Sequence, residues 1–520
     1  MPTESDLDIR PRRTAWAIAL AAMLLGIAIW PILGGFRAAN DDVKWVRSAD
    51  HALGLWGALG KAWREEASYR PLEVAVAHYC DQVTLACLPA IIVQAAGLVA
   101  LVLVAHRAAR TCMPGHRSSW IVVLAYLALS PATTCSLWQM DSCSQTWTAV
   151  LGTWCALRTW EAIATAKAGK VDARGIALLS AAFLAGCSIK EIFYGWSAGI
   201  GSAVLAATVI AVTRQRTRAA AGRIALLALP TILVPLLHLA ARFLLGSLGD
   251  RISGAEGSRY TAELGLNVIV NAAMSAAGIF GSGPFHLATD EHAPLPLRIA
   301  PYLSIAATIF LLLGAAGLSA LSRRKPAGID LGATSFAVVS CALSMSATIP
   351  MGSVSELHGF GGNIGAALLV SAAACVLWSN NVPDERTLSR WIVLTCAGTF
   401  LGVGLYGLAS RALHFRAVWQ STDSVNQQII EFQDRLTAPE VQQGEFAGVV
   451  RFTGACLLTR TYSQYVIPPV QAINIQETGP WLLRRHPDRP IGFSIGRGAG
   501  VEDERELVLD CADDIDHGHW

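Results

Sequence analysis

Charge is what this sequence has least of. Asp, Glu, Lys and Arg make up 15% of its 520 residues, whereas a soluble globular domain carries about 25%. No basic tract interleaved with aromatics occurs, and the formal net charge is only +2, so nothing points to nucleic acid. The 12 cysteines show no CxxC or Cys/His spacing of the kind that holds zinc. No internal repeat and no low-complexity segment is visible, which weighs against an inverted-repeat transporter. What fills the chain instead is apolar: 53% of residues are hydrophobic, and the mean hydropathy is +0.44.

The apolar residues cluster in runs, and a helix needs about 20 of them to span the hydrocarbon. Candidate spans cover 15–35, 83–105, 119–136, 145–163, 174–189, 192–213, 222–246, 298–321, 331–351, 361–379 and 391–410. The first follows Arg10, Arg12 and Arg13 and is longer than a secretory h-region of about 7–15 residues, so it reads as a retained helix. Most cysteines, such as Cys187, Cys341 and Cys396, lie inside the runs, where cysteine behaves as a small hydrophobe. Cys135 and Cys143 flank a short loop in which a disulfide would suit an outer compartment.

The distribution of Lys and Arg sets the topology. With a cytoplasmic N-terminus, the inner loops hold Arg107, Arg110 and Arg117, then Lys167, Lys170 and Arg174, then Arg214 to Arg223, then Arg323, Arg324 and Lys325. The outer loops at 137–144 and 352–360 contain neither residue. The alternation holds if segment 264–281, weakened by Asn267 and Asn271, lies re-entrant or interfacial. The expected fold is therefore an α-helical polytopic membrane protein with about eleven transmembrane helices. Residues 1–410 form the membrane domain with outer loops 36–82 and 247–297, and 411–520 form a small α/β domain on the outer side. Val418, Val425, Ile429 and Phe432 recur at helical spacing, and Gly448–Phe452 and Glu506–Leu509 read as strands.

The unusual polar residues all fall on the outer face. Asp41 and Asp42 sit just past the first span, where carboxylates near a bilayer are solvated, paired or bound to a cation. They suit a general base with an electrostatic partner, a metal site, or simply a solvated helix N-cap. Arg70, in Ser68-Tyr69-Arg70-Pro71-Leu72, could grip a phosphate bidentately or anchor to lipid headgroups. Asp141 is the one charge of its loop and reads as an N-cap or a ligand. Lys190 and Glu191 are squeezed into a membrane hairpin, as an ion pair or as a lysine aimed at phosphate. Glu356 and His358 form a weaker cluster, and Asp290-Glu291-His292 could bind a metal.

In their order these motifs resemble the C-class glycosyltransferases, polytopic enzymes that use polyprenyl-phosphate sugars. Asp41-Asp42 with Tyr69-Arg70-Pro71-Leu72 resembles their first outer loop, and Ser130-Pro131 to Asp141 is similar to the second outer loop of bacterial relatives of protein O-mannosyltransferases. Ser188-Ile189-Lys190-Glu191 looks like their Lys-Glu hairpin, and Arg416-Ala417-Val418-Trp419 looks like the helix that follows the last span. Thr133-Thr134 departs from the pattern, standing where relatives often show an acidic residue.

The resemblance implies an inverting transfer of a sugar from a polyprenyl-phosphate donor to a glycolipid, lipopolysaccharide, O-antigen or protein acceptor at the outer face of a bacterial inner membrane. Asp41 would be the base and Asp42 its support, with Arg70 and Lys190 on the donor phosphate. Asp141 and Glu191 would position the donor or a metal, and Glu356 and His358 would touch donor or acceptor. A divalent cation, Mg or Mn, is required in some relatives and absent in others. The rival readings are an O-antigen-type polymerase or ligase and a transporter or lipid flippase. The last would use mid-span ionisable residues, for which His238 is the clearest candidate.

Overall fold

The computed structural model describes residues 19, 22–23, 26–27, 29–39, 41–65, 70–140, 142–213, 218–245, 265–282, 295–322, 328–347, 359–379, 383–436, 446–453, 473–495 and 505–510. The stretch after the first apolar run holds three short helices: α1 (Asp41–Ser48), α2 (Gly54–Glu65) and α3 (Pro71–His78). There follow α4 (Leu88–Cys112), α5 (Ser119–Leu129), α6 (Pro131–Trp138), α7 (Cys143–Lys167), α8 (Ala173–Ile189) and α9 (Phe193–Thr213). The second half holds α10 (Arg218–Ala225), α11 (Val234–Leu245), α12 (Leu266–Phe280), α13 (Leu295–Ser322), α14 (Leu331–Leu343), α15 (Phe360–Trp378) and α16 (Pro383–Arg435).

Among the described residues, six helices are long and apolar enough to cross a membrane, or up to seven when a bent pair is counted as one span. The bent pair is α5 and α6, which the sequence suggests as a single run. It turns by 62° where Ser130 becomes extended and Pro131 opens α6. Pro131 has no N–H to continue the ladder, and its ring disfavours helix at the residue before it. Helix α7 is 25 residues long yet is not among the six. It buries Thr146, Thr148, Thr153 and Thr159 against its neighbours rather than facing lipid. Helix α12, inside the expected re-entrant segment, is 15 residues long, shorter than the about 20 needed to span.

Helix α15 is the core of the bundle, buried on nearly every side. Small residues allow its close contacts: a Cβ at Gly365 would lie 2.7 Å from Cys341 Cβ of α14. Without a hydrophobic drive between helices in lipid, such close backbone approach supplies the packing.

No break marks residue 410. Helix α16 runs for 53 residues, about 80 Å at 1.5 Å per residue, from the membrane into the C-terminal unit. That unit has the expected α/β character. Strands β1 (Gly448–Thr453), β2 (Ile491–Ile495) and β3 (Glu506–Asp510) form a parallel sheet in the order β2-β1-β3. The parallel β1–β2 pair needs a crossover, which contains helix α17 (Ile475–Arg485). Val425, Ile429 and Phe432, the periodic residues of the sequence, pack with Val450, Phe452 and Trp481 into a second core.

Candidate functional site

The Lys190-Glu191 hairpin explains itself locally. Lys190 is the C-cap of α8 in extended conformation, and its carbonyl accepts from Phe193 N–H to start α9. A cation at a helix C-terminus and a carboxylate at the N-terminus of the next helix each match the local dipole. The turn is closed by Phe193, whose ring lies directly over Gly186 and edge-on to Phe183 at 5.7 Å. A side chain at Gly186 would push the ring away.

Arg70 is the N-cap residue of α3, with Pro71 at the first helical position, where a missing N–H costs nothing. One turn later is Glu73, which the sequence analysis did not single out and which is completely buried. The three meet. Arg70 Nη1 donates to Glu73 Oε2 at 3.3 Å, and Arg70 Nη2 donates to Glu191 Oε1 at 2.8 Å. Lys190 Nζ donates to Glu73 Oε1 at 3.3 Å, and Ser144 Oγ at the start of α7 donates to the same oxygen. Two cations and two carboxylates from α3 and the α8–α9 hairpin therefore form one network. Glu73 was legible in principle, as an acid three residues after Arg70 in a short helix beside a bilayer.

The same corner holds Asp42. It is 4% exposed, and its Oδ2 accepts from the Met140 N–H at 2.9 Å. Residues 140 and 144 thus receive both the first-loop carboxylate and the Glu73 network. Met140 Sδ also rests 3.9 Å from Cys80 Sγ and 3.7 Å from Cys87 Sγ, and those two cysteines are joined in a disulfide. That bond was not anticipated; Cys135 and Cys143, the pair suggested by spacing, are both buried.

Asp41 begins α1, but its side chain lies outside the described residues. So do Tyr69, Asp141, Asp290, Glu291, His292, Glu356 and His358. Among the described residues no group of three or more metal-ligating side chains is present.

Electrostatics fixes the state of Glu191. Burial raises its pKa, but the charges of Arg70 and Lys190 and the Arg70 hydrogen bond outweigh that and hold it at about 2. The carboxylate is therefore ionised throughout the physiological range and is not a proton shuttle. His238, the mid-span histidine, has Tyr194 Oη 2.7 Å from Nδ1 and Ser188 Oγ 3.2 Å from Nε2. Both ring nitrogens are occupied, as in a satisfied core histidine. Thr133 and Thr134 are structural as well: Asn363 Nδ2 donates to Thr133 Oγ1 at 3.1 Å, and Arg411 Nε donates to Thr134 Oγ1 at 3.0 Å.

No protein-family model and no curated protein matches the sequence. Two solved structures resemble it in fold. One is the archaeal oligosaccharyltransferase AglB from Archaeoglobus fulgidus, in complex with an inhibitory peptide and a dolichol-phosphate, at 12% identity and a TM-score of 0.44. That match covers 91% of this chain and 64% of the other, so the chain spans less than two thirds of its length. The second is ArnT from Cupriavidus metallidurans bound to undecaprenyl phosphate, at 12% identity and a TM-score of 0.42, covering 94% of this chain and 87% of that one. These likenesses are distant, and the functional reading rests on the residues of the site.

Proposed function

We propose that this chain is an integral membrane glycosyltransferase that moves a sugar from a polyprenyl-phosphate donor to an acceptor hydroxyl, with inversion. The observation that carries the reading is the network in which buried Glu73 binds both Arg70 and Lys190 beside the loop that anchors Asp42. Two cations at a membrane surface, held in place by carboxylates rather than by water, are suited to a leaving phosphate. Donors fixed before the reaction stabilise developing charge without reorganisation.

In this mechanism the acceptor oxygen attacks the anomeric carbon from the face opposite the phosphate. The bond between that carbon and the phosphate oxygen breaks, and the electron pair leaves with the lipid phosphate, toward Arg70 and Lys190. The acceptor proton passes to the Asp41 carboxylate, with Asp42 holding α1 against the Met140 backbone. General-base assistance of this kind is worth about 10²–10⁴ in rate. Glu73 and Glu191 act as positioning residues on the two cations. Asp141, Glu356 and His358 are assigned to donor or acceptor contact on the family resemblance.

The reading places the site on the periplasmic face of a bacterial inner membrane. The Cys80–Cys87 disulfide in the same outer stretch favours that side, since disulfides persist in oxidising compartments. The acceptor is a glycolipid, an O-antigen or lipopolysaccharide glycan, or a protein. Glycan analysis of the host carrying wild type, a deletion, or Asp41→Asn at matched expression is the test. Loss of one sugar modification in both altered strains is expected. Normal glycosylation by Asp41→Asn would remove the base from the mechanism, and an unchanged profile in the deletion would overturn the activity itself.

A further inference from the structure

Helix α8 has a second functional end. Its 17 residues, about 25 Å of rise, separate the Lys190 hairpin from a cavity at its N-terminal end. The cavity holds about 130 Å³, between the last turns of α7, the 168–172 linker and the first turns of α8. Arg158, Lys170 and Arg223 line it together with Glu161 and Asp172. Its inner wall is apolar, made by Ile176, Leu179 and Leu227.

The charge at this cavity does not cancel. Glu161 is gripped on both oxygens, by Arg107 Nη2 at 2.6 Å and Arg158 Nη1 at 2.7 Å. Arg223 Nε donates to the Ala166 carbonyl at 2.9 Å, which fixes its guanidinium at the cavity edge. Three lining cations therefore face two carboxylates, and one of those, Glu161, is also paired from outside the lining by Arg107, which leaves an excess of positive charge. The size decides the ligand class. Pockets for drug-sized ligands hold about 300–1,000 Å³, so a nucleotide sugar does not fit, whereas one phosphate group does. Among the lining residues Val171 is 50% exposed, an apolar side chain open at the cavity.

We propose that this cavity is a binding site for a phosphate-bearing anion, separate from the transfer site. Basic pockets between membrane helices take lipid headgroups by this chemistry. A phosphate here ties α7, the linker and α10 together at the end of α8 remote from the hairpin.

The test uses the full-length protein in neutral detergent. Phosphatidylglycerol and phosphatidylcholine binding are counted by native mass spectrometry, and inorganic phosphate is scored by the shift in melting temperature. Wild type is compared with Arg158→Gln, Lys170→Gln and Asp172→Asn. The expected result is phosphatidylglycerol binding, weakened about fivefold for each cation removed, and tightened by Asp172→Asn. The gain in the last variant excludes misfolding as the cause of the losses. A shift with inorganic phosphate that follows the same order, without lipid binding, would support the site with a soluble anion as its source. Equal behaviour of all variants toward both anions would overturn it.

Discussion

Lys190 and Glu73 are 117 positions apart in the chain and meet in a buried ion pair of 3.3 Å. Their side chains are 6% and 0% exposed, so the pair is held in a medium where an unmatched charge is expensive. Stability and chemistry should therefore separate in the variants. Glu73→Gln is expected to destabilise by about 3 kcal/mol, because it removes the buried carboxylate that binds both Lys190 and Arg70. Lys190→Met combined with Glu73→Gln should recover much of that stability while transfer stays about 10²–10³ below wild type. Melting curves and initial rates on the four proteins of the cycle read both effects. Additive stability losses would show that the pair is not coupled.

Glu191 gives the site a signature in acid. Its pKa is about 2 in the fold and about 4.5 for the free group, so the folded state binds the proton less readily than the unfolded chain. Its contribution to stability is complete above about pH 4.5 and is lost as pH falls toward 2. Wild type should lose melting temperature across that window more steeply than Glu191→Gln. At 42% exposure the side chain is partly screened, so the difference should shrink in high salt. Equal slopes would mean that Arg70 does not hold Glu191 in solution.

The hairpin is also sensitive to a single carbon. Gly186→Ala would place a methyl group into the Phe193 ring. Overpacking of this kind costs about 1–3 kcal/mol. Because Lys190 lies at the end of the same turn, transfer activity should fall together with stability. Phe193→Leu in the Gly186→Ala background should restore part of both, as measured by melting and by initial rate.

The Cys80–Cys87 disulfide closes the segment after α3 against Met140. Cys80→Ser with Cys87→Ser should lower stability by about 2 kcal/mol, at the low end of the usual range because the closed loop is short. Alkylation mapping without reductant should show both thiols protected in wild type. Labelling of both in native protein would place this segment in a reducing compartment.

The membrane character of the chain was legible because apolar runs of sufficient length have few alternatives in water. The two predicted C-terminal strands were legible from their apolar runs, and the second core from the spacing of Val425, Ile429 and Phe432. Three features were not. The 62° bend depended on the Ser130-Pro131 step inside a run that hydropathy reads as continuous. The length of α16 was hidden because its composition turns polar near residue 411 while its backbone stays helical. Glu73 carried one local signal, its i,i+3 spacing from Arg70, but its pairing with Lys190 and Ser144 joins residues distant in sequence that no local pattern names. Lys190 and Arg70 themselves were visible, but their carboxylate partners show that the cations are pre-positioned rather than waiting in solvent.

Helix α16 leaves the bundle and enters the C-terminal core without interruption, and residues Arg37 and Arg47 grip it on the way. Arg37 Nε donates to Asp423 Oδ1 at 2.9 Å, and Arg47 Nη2 donates to Asn426 Oδ1 at 2.6 Å. The stretch beyond residue 410 is a lever arm of about 38 Å. Pivoting its membrane end by about 5° would swing the tip by about 3 Å. Since Arg47 also lies over Trp481 of α17, 3.3 Å from the ring centroid, the helix that carries Asp42 is held between α16 and α17. Through Arg47 the segment that holds Asp42 joins α16 and α17 of the C-terminal unit to the rest of the chain.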